Sequence, residues 1–237
     1  TMDTLMAVKY ARERGARTLS ICNTQGATIP RESDAIVYTH AGPEVAVAST
    51  KAFVAQITAQ YLLALHIARI RGTVSAADAA EHVRELESVP GKISHILETE
   101  QARIEEFAGW MADTRSVLFL GRHVGYPIAL EGALKLKEIS YIHAEGFAAG
   151  ELKHGPIALI EPGQPVFVIV PSPREPALLH SKVVSNISEI RARGARVIAI
   201  AEEGDAAVLP VADEVLHIPL AGPLFEALLT VVPLHIF

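Results

Sequence analysis

The chain reads as an α/β protein containing two copies of one parallel-sheet unit, each flanked by helices, with a helical connector between them. Two observations carry this. Short strands that are apolar without alternation, such as Pro165 to Val170 (P-V-F-V-I-V), recur between helical patterns, as expected of strands buried on both faces. There is also an internal repeat: Arg12-Glu13-Arg14-Gly15-Ala16-Arg17 matches Arg191-Ala192-Arg193-Gly194-Ala195-Arg196. At that offset Asp34 falls on Asp213, and one inserted residue later Ala41-Gly42-Pro43 falls on Ala221-Gly222-Pro223. Agreement in order, spacing and punctuation marks a duplication.

The elements follow in order. Thr4 to Glu13 is a helical pattern closed by Gly15 at a C-cap-like position. Arg17 to Cys22 and Ala35 to Tyr38 are strands, separated by a polar loop with Gly26 and Pro30. After Gly42-Pro43 a long helix runs from Ser49 or Thr50, either a suitable N-cap, to Ile70. Ala76 to Leu86 and Ile93 to Met111 read as two amphipathic helices divided by Pro90-Gly91. Ser116 to Gly121 is a strand, followed by a helix and then a charged loop up to Pro156. Next come strand 165–170, a helix from about Glu175 to Arg193, strands Arg196 to Ile200 and Glu214 to Ile218, and a last helix from about Pro223. The expected division is 1–72 for the first copy, 73–113 for the connector and 114–237 for the second copy. Relative to each other, the first copy lacks its opening strands and the second lacks the end of its last helix. The chain is therefore expected to be truncated at both ends.

The stretch between strand 116–121 and Pro156 holds the candidate chemistry. On a helix, Glu131, Lys135 and Glu138 stand at i, i+4 and i+7, in one narrow arc. Their neighbours are mostly Ala, Leu, Ile and Gly, so the helix is expected to be buried. The stripe then either pairs internally or lines a polar cavity, and spacing alone leaves both open.

Two motifs in this stretch, E-G-A-L-K-L-K-E-I-S-Y-I-H-A-E (Glu131 to Glu145) and G-E-L-K-H-G-P (Gly150 to Pro156), resemble the isomerase half of the glucosamine-6-phosphate synthase family. Cys22-Asn23, R-E-S-D (Arg31 to Asp34) and V-A-S-T-K-A-F (Val47 to Phe53) are similar to the same family. The resemblance covers essentially the whole chain and implies two sugar-isomerase (SIS) domains with flavodoxin-like layering. It implies fructose 6-phosphate as substrate, ammonia from a glutaminase domain absent from this chain, a homodimer, and neither cofactor nor metal. In the family a serine-rich loop ending S-G-E-T holds the sugar phosphate at a helix N-terminus; only the closing Thr1 matches here. The family's C-terminal lysine lies beyond this sequence, so the chain alone is not expected to turn over.

The resemblance assigns roles that the residues can fill. Glu138 becomes the base that moves a proton between C1 and C2, with simple pairing to Lys135 as the alternative. His154, held by Gly155-Pro156, becomes the group that opens the sugar ring, reaching the active site of the neighbouring subunit; a bystander loop histidine is the alternative. Lys135 supports the sugar or the Glu138 carboxylate, or pairs structurally with Glu131 and Glu138. Thr1, Val47, Ala48 and Ser49 contact the substrate, and an ordinary N-cap accounts equally well for the last three. Arg122, His123 and Lys153 stay unassigned, as surface or interface residues.

Composition narrows the remainder. The chain has 237 residues, half of them hydrophobic, a net charge of -6 and a single cysteine, Cys22. An acidic chain without a dense Lys/Arg run is a poor partner for nucleic acid or an anionic membrane. One cysteine without companion spacing fits a reducing, cytoplasmic setting. No apolar run is expected to reach the length of a bilayer span. A double-SIS fructosamine-phosphate deglycase, which lacks the glutaminase domain, is the alternative enzyme. A sugar-phosphate sensor would need a basic DNA-binding segment, and the sequence shows none.

Overall fold

The computed structural model describes residues 2–174 and 177–237. Thr1 and the start of the helix expected from Glu175 lie outside the described residues. The chain divides into two compact units, residues 1–80 and 81–237.

The first unit holds α1 (Met2–Glu13), β1 (Leu19–Cys22), α2 (Thr28–Glu32), β2 (Ala35–Tyr38) and α3 (Lys51–Ile70). β1 and β2 pair in parallel, Leu19 opposite Ala35 through Cys22 opposite Tyr38. The N-cap position of α3 is Thr50, yet neither Thr50 nor Ser49 caps it. Glu44 does so from outside the helix, accepting bonds from the Thr50 N–H at 3.2 Å, the Ala52 N–H at 3.2 Å and the Ser49 hydroxyl at 3.1 Å. A carboxylate there also complements the positive end of the helix dipole. Burial pushes Glu44 up, but these three bonds and the nearby Lys51 outweigh it and hold its carboxyl below the usual range. α3 corrects one expectation: by length and composition alone it could cross a membrane.

The second unit holds most of α4 (Ala76–Met111), then β3 (Ser116–Gly121), α5 (Gly125–Ser140), β4 (His143–Ala148), two 3₁₀ turns (Ala149–His154 and Pro156–Leu159), β5 (Pro165–Ile169), α6 (Ala177–Ala192), β6 (Arg196–Glu202), β7 (Glu214–Ile218) and α7 (Glu226–Ile236). Its five strands are all parallel in the order β4-β3-β5-β6-β7. That is the flavodoxin-like winding, whose ligands lie outside the carboxyl ends of the strands. Phe119 and Phe167 stack across β3 and β5 at 4.9 Å and are fully buried. Phe107 and Phe237 close around Phe167 at 6.5 and 4.9 Å.

Besides the short helix α2, which occupies part of the expected polar loop, two elements differ from the sequence reading. α4 is one continuous helix of 36 residues with Pro90 inside it, not two helices. An internal proline costs roughly 3 kcal/mol. The helix continues because Val89, next to the break, and Ile96, Ile104, Phe107 and Met111 beyond it bury along one face. Long-range bonds add to this: Arg103 to Val215 O at 2.7 Å and to Glu214 at 2.9 Å, and Glu85 to the Gly222 N–H. β4 is the other difference, since the charged stretch His143 to Ala148 was expected to be loop. Gly146 and two charged positions hide its strand character, and it forms because it is an edge strand with one neighbour, β3.

The duplication is visible bond for bond. Gly15 and Gly194 both carry positive φ, 80° and 91°, at the ends of α1 and α6. Asp34 accepts the Thr18 N–H at 2.7 Å and lies 3.4 Å from Arg12. At the matching positions Asp213 accepts the Val197 N–H at 2.8 Å and lies 3.3 Å from Arg191.

Candidate active site

Helix α5 leaves β3 through a turn so close that a Cβ on Gly121 would collide with the Gly125 carbonyl. Its inner side presses on the sheet and on α7. A Cβ on Gly132 would stand 2.8 Å from Leu234 and 3.0 Å from Phe119, so glycine there sets how near the helix can come. That approach takes the neighbouring charges below the surface: Glu131 is 9% exposed and Lys135 7%.

A buried ammonium must be paired. Lys135 Nζ donates to Glu138 Oε2 at 2.7 Å and lies 3.5 Å from Glu131 Oε1. His235 Nε2, on α7, stands 3.5 Å from that same Glu131 oxygen. The four side chains form a line from the interior outwards: His235, Glu131, Lys135, Glu138. The first three are about nine-tenths buried, whereas the Glu138 side chain is 32% exposed. The sequence pattern implies equal burial for the stripe; instead Glu138 opens to solvent, on the last turn before α5 ends at Ser140. Of the two sequence alternatives, internal pairing is the one observed. Glu138 is paired, and it is also the accessible end of the line. A carboxylate pinned through one oxygen by a buried ammonium has little rotameric freedom, which suits a base that must face two adjacent carbons.

His154 closes the first 3₁₀ turn and is exposed. Gly155 follows with φ 143°, a conformation other residues rarely adopt, and Pro156 opens the next turn. Among the described residues no hydrogen bond or ion pair joins His154 to Glu138 or Lys135. Val47, Ala48 and Ser49 precede α3 in the first unit: Val47 is 92% exposed, Ala48 is buried, and the Ser49 hydroxyl is bound to Glu44. Thr1 lies outside the described residues. Among the described residues no group of three or more His, Cys, Asp or Glu is placed to hold a metal ion.

Sequence reasoning missed His235. It is a lone histidine in the strongly apolar helix α7, and nothing in the local pattern ties it to Glu131, about a hundred residues earlier. Lys153 is on the surface as expected, paired with Glu189 at 2.9 Å, whereas Arg122 is half-buried against Gly150.

The parallel sheet and its winding are those of a SIS domain. The SIS domain pattern matches residues 1–66 and 111–229, and the chain belongs to the SIS-domain family. Within it, the chain is 76% identical over its whole length to a glutamine–fructose-6-phosphate aminotransferase (isomerizing) of Leifsonia xyli, and 63% identical to one of Tropheryma whipplei. It spans 38% of the length of these curated relatives. Among solved structures, the C-terminal domain of glucosamine-fructose-6-phosphate aminotransferase from Francisella tularensis superposes with a TM-score of 0.92 at 35% identity, covering all of this chain and 66% of that one. In the first unit the SIS match takes in most of α3, which is therefore a helix of the α/β layer despite its apolar length.

Proposed function

We propose that this chain is the isomerase part of an enzyme that makes glucosamine 6-phosphate from fructose 6-phosphate and glutamine-derived ammonia. The observation that carries the reading is the Lys135-clamped, solvent-reaching Glu138 on α5, in a sequence 76% identical to an isomerizing aminotransferase. In this reading His154 gives a proton to the ring oxygen as its bond to C2 breaks, and the anomeric hydroxyl loses its own to leave the ketone. Ammonia adds at C2 and water departs. Glu138 then takes a proton from C1 and returns it at C2, while the C1 hydroxyl proton passes to the nitrogen, which converts the imine to the amine and leaves the aldehyde at C1. Lys135 holds Glu138 in place and balances its charge; Glu131, with His235 beside it, holds Lys135.

Thr1, Val47, Ala48 and Ser49 are assigned to the substrate. His154 serves the neighbouring subunit of a homodimer, a reading supported by its exposure and by its lack of any bond to Glu138 or Lys135 among the described residues. The domains are taken as 1–72 and 114–237 with a connector at 73–113. The product feeds amino-sugar synthesis, towards UDP-N-acetylglucosamine, in the cytoplasm, where the free thiol of Cys22 stays reduced. The identities of 76% and 63% to aminotransferases favour synthesis over a fructosamine-phosphate deglycase.

The test is glucosamine 6-phosphate formation by the full-length protein. Glu138→Gln keeps the bond to Lys135 and removes the base, so kcat should fall by about 10²–10⁴ with little change in KM. Unchanged turnover would remove Glu138 from the reaction. Ammonia release from fructosamine phosphate without synthesis would move the assignment to the deglycase.

A further inference from the structure

The buried face of α6 carries Val183, Ile187 and Ile190, all fully buried in the core between the helix and the sheet. On that same face stands Asn186, 5% exposed. A polar amide among such neighbours is costly unless its groups are bonded. One orientation of the amide accepts from Arg122 Nε at 3.3 Å. The other donates to Ala149 O at 3.2 Å and to Lys182 O at 3.0 Å. Two bonds to carbonyls outweigh one long one, and we adopt the second.

Ala149 is the first residue of the 3₁₀ turn that ends in His154. Two further side chains of the same region repeat the arrangement. Glu189 takes Lys153 at 2.9 Å, and Arg193 donates to Ile157 O at 3.3 Å. Positions 186, 189 and 193 are spaced i, i+3 and i+7 along α6 and just past its end; the first two hold residues 149 and 153 of this turn, and the third holds Ile157 in the 3₁₀ turn that follows. The turn is also fixed from below, because Ala149 and Leu152 are buried in the same core as Val183 and Ile187. The Arg122 guanidinium lies over Gly150, with Nη1 3.4 Å from where a Cβ would be.

We infer that Asn186, with Glu189 and Arg193 spaced after it, is a positioning residue that presents His154 to the reacting sugar. The inference rests on the proposed role of His154 and adds what orients it. Hydrophobic residues would pack α6 against the turn equally well, but they would leave its height and rotation free. An amide donating to Ala149 O sets both, and His154 lies five residues on.

The experiment is Asn186→Asp in the full-length enzyme, which keeps the shape and removes both donors. The expected result is a loss of about tenfold in kcat for glucosamine 6-phosphate formation, with KM within about twofold and a displaced acid limb of the pH profile. Unchanged kcat and pH profile would overturn the inference. Should that variant not fold, Arg193→Met, at the exposed end of this series, decides the matter. It should lower kcat by about threefold at constant KM, and unchanged kcat would again overturn the inference. A second readout is independent of turnover: the imidazole resonances of His154 should shift and broaden in Asn186→Asp. Unmoved resonances overturn the positioning role. Moved resonances in a protein that makes no glucosamine 6-phosphate would uphold the positioning and refute the proposed reaction instead.

Discussion

Removing the ammonium of Lys135 tests the line of charges directly. Lys135→Met keeps the length and apolar stem of the side chain, so little cavity is made. What remains is Glu131, 9% exposed and without its ammonium, beside His235 Nε2 at 3.5 Å. Breaking a buried pair by removing one partner costs about 3–5 kcal/mol. Glu138 lowers that figure, because its side chain is 32% exposed and can turn to water, which brings the expected loss to roughly 2–3 kcal/mol. Urea unfolding followed by fluorescence of Trp110 is a suitable assay, since this tryptophan sits in α4 with the Arg196 guanidinium 3.7 Å from its ring. The decisive comparison is Glu131→Gln added to Lys135→Met. Neutralising the stranded carboxylate should recover at least about 1 kcal/mol. A loss below about 1 kcal/mol in the single variant, or no recovery in the double one, would refute the claim that these charges hold each other below the surface.

Glu226 gives a pH prediction. Burial, opposed by the Ser172 N–H, reinforced by Glu202 and again opposed by Arg174, raises its carboxyl from 4.5 to about 7. Its protonated form therefore stabilises the fold fully below pH 4.5, and that contribution is lost as pH rises through 7. Glu226→Gln should remove this loss and leave the protein more stable than the native chain at pH 8 by about 3 kcal/mol, and little different at pH 4.5. Thermal unfolding at the two pH values checks it. Glu44→Ala, which strips three bonds from the start of α3, should lower stability by about 1 kcal/mol, read as amide exchange in the first turn of that helix. Asp34 behaves in the opposite sense to Glu226. The Thr18 N–H and hydroxyl, aided by Arg12 and Arg17, hold its carboxyl below its usual 3.8, so its contribution is present at neutral pH and lost on acidification. Asp34→Asn should therefore lower the melting temperature at pH 7 and have much less effect at pH 3.

The legible parts of the sequence are those where local pattern and tertiary demand agree. Val117 to Leu120, Val166 to Ile169 and Val197 to Ala201 are continuous apolar runs because both faces are covered, and they are buried as such. The Glu131, Lys135, Glu138 arc was legible because i, i+4 and i+7 must share a face. Three features were not. Pro90 signals a break, yet burial next to it and beyond it carries α4 through. The strand His143 to Ala148 looks like a loop because an edge strand tolerates charge and glycine. His235 completes the line through Glu131 only because α7 folds back on α5 across most of the second unit.

The duplication separates what the fold requires from what each copy does with it. The skeleton is the same in both: glycine closing the helix, aspartate bonded to the next strand's amide, arginine beside it. The rim at the carboxyl end of the strands is not. Asn23 in the first copy accepts from the Thr39 hydroxyl and the Ala41 N–H and donates to Gly42 O at 2.6 Å, tying down the loop that leads to α3. At the matching position the second copy has Glu202, which holds Arg174 at 2.7 Å, and Arg174 in turn donates to Ala221 O at 3.2 Å. The same loop is pinned in each copy, directly in one and through an ion pair in the other. In the second copy Arg174 is thus satisfied internally by Glu202. The two copies share the Gly, Asp and Arg skeleton and differ in how the rim loop is held.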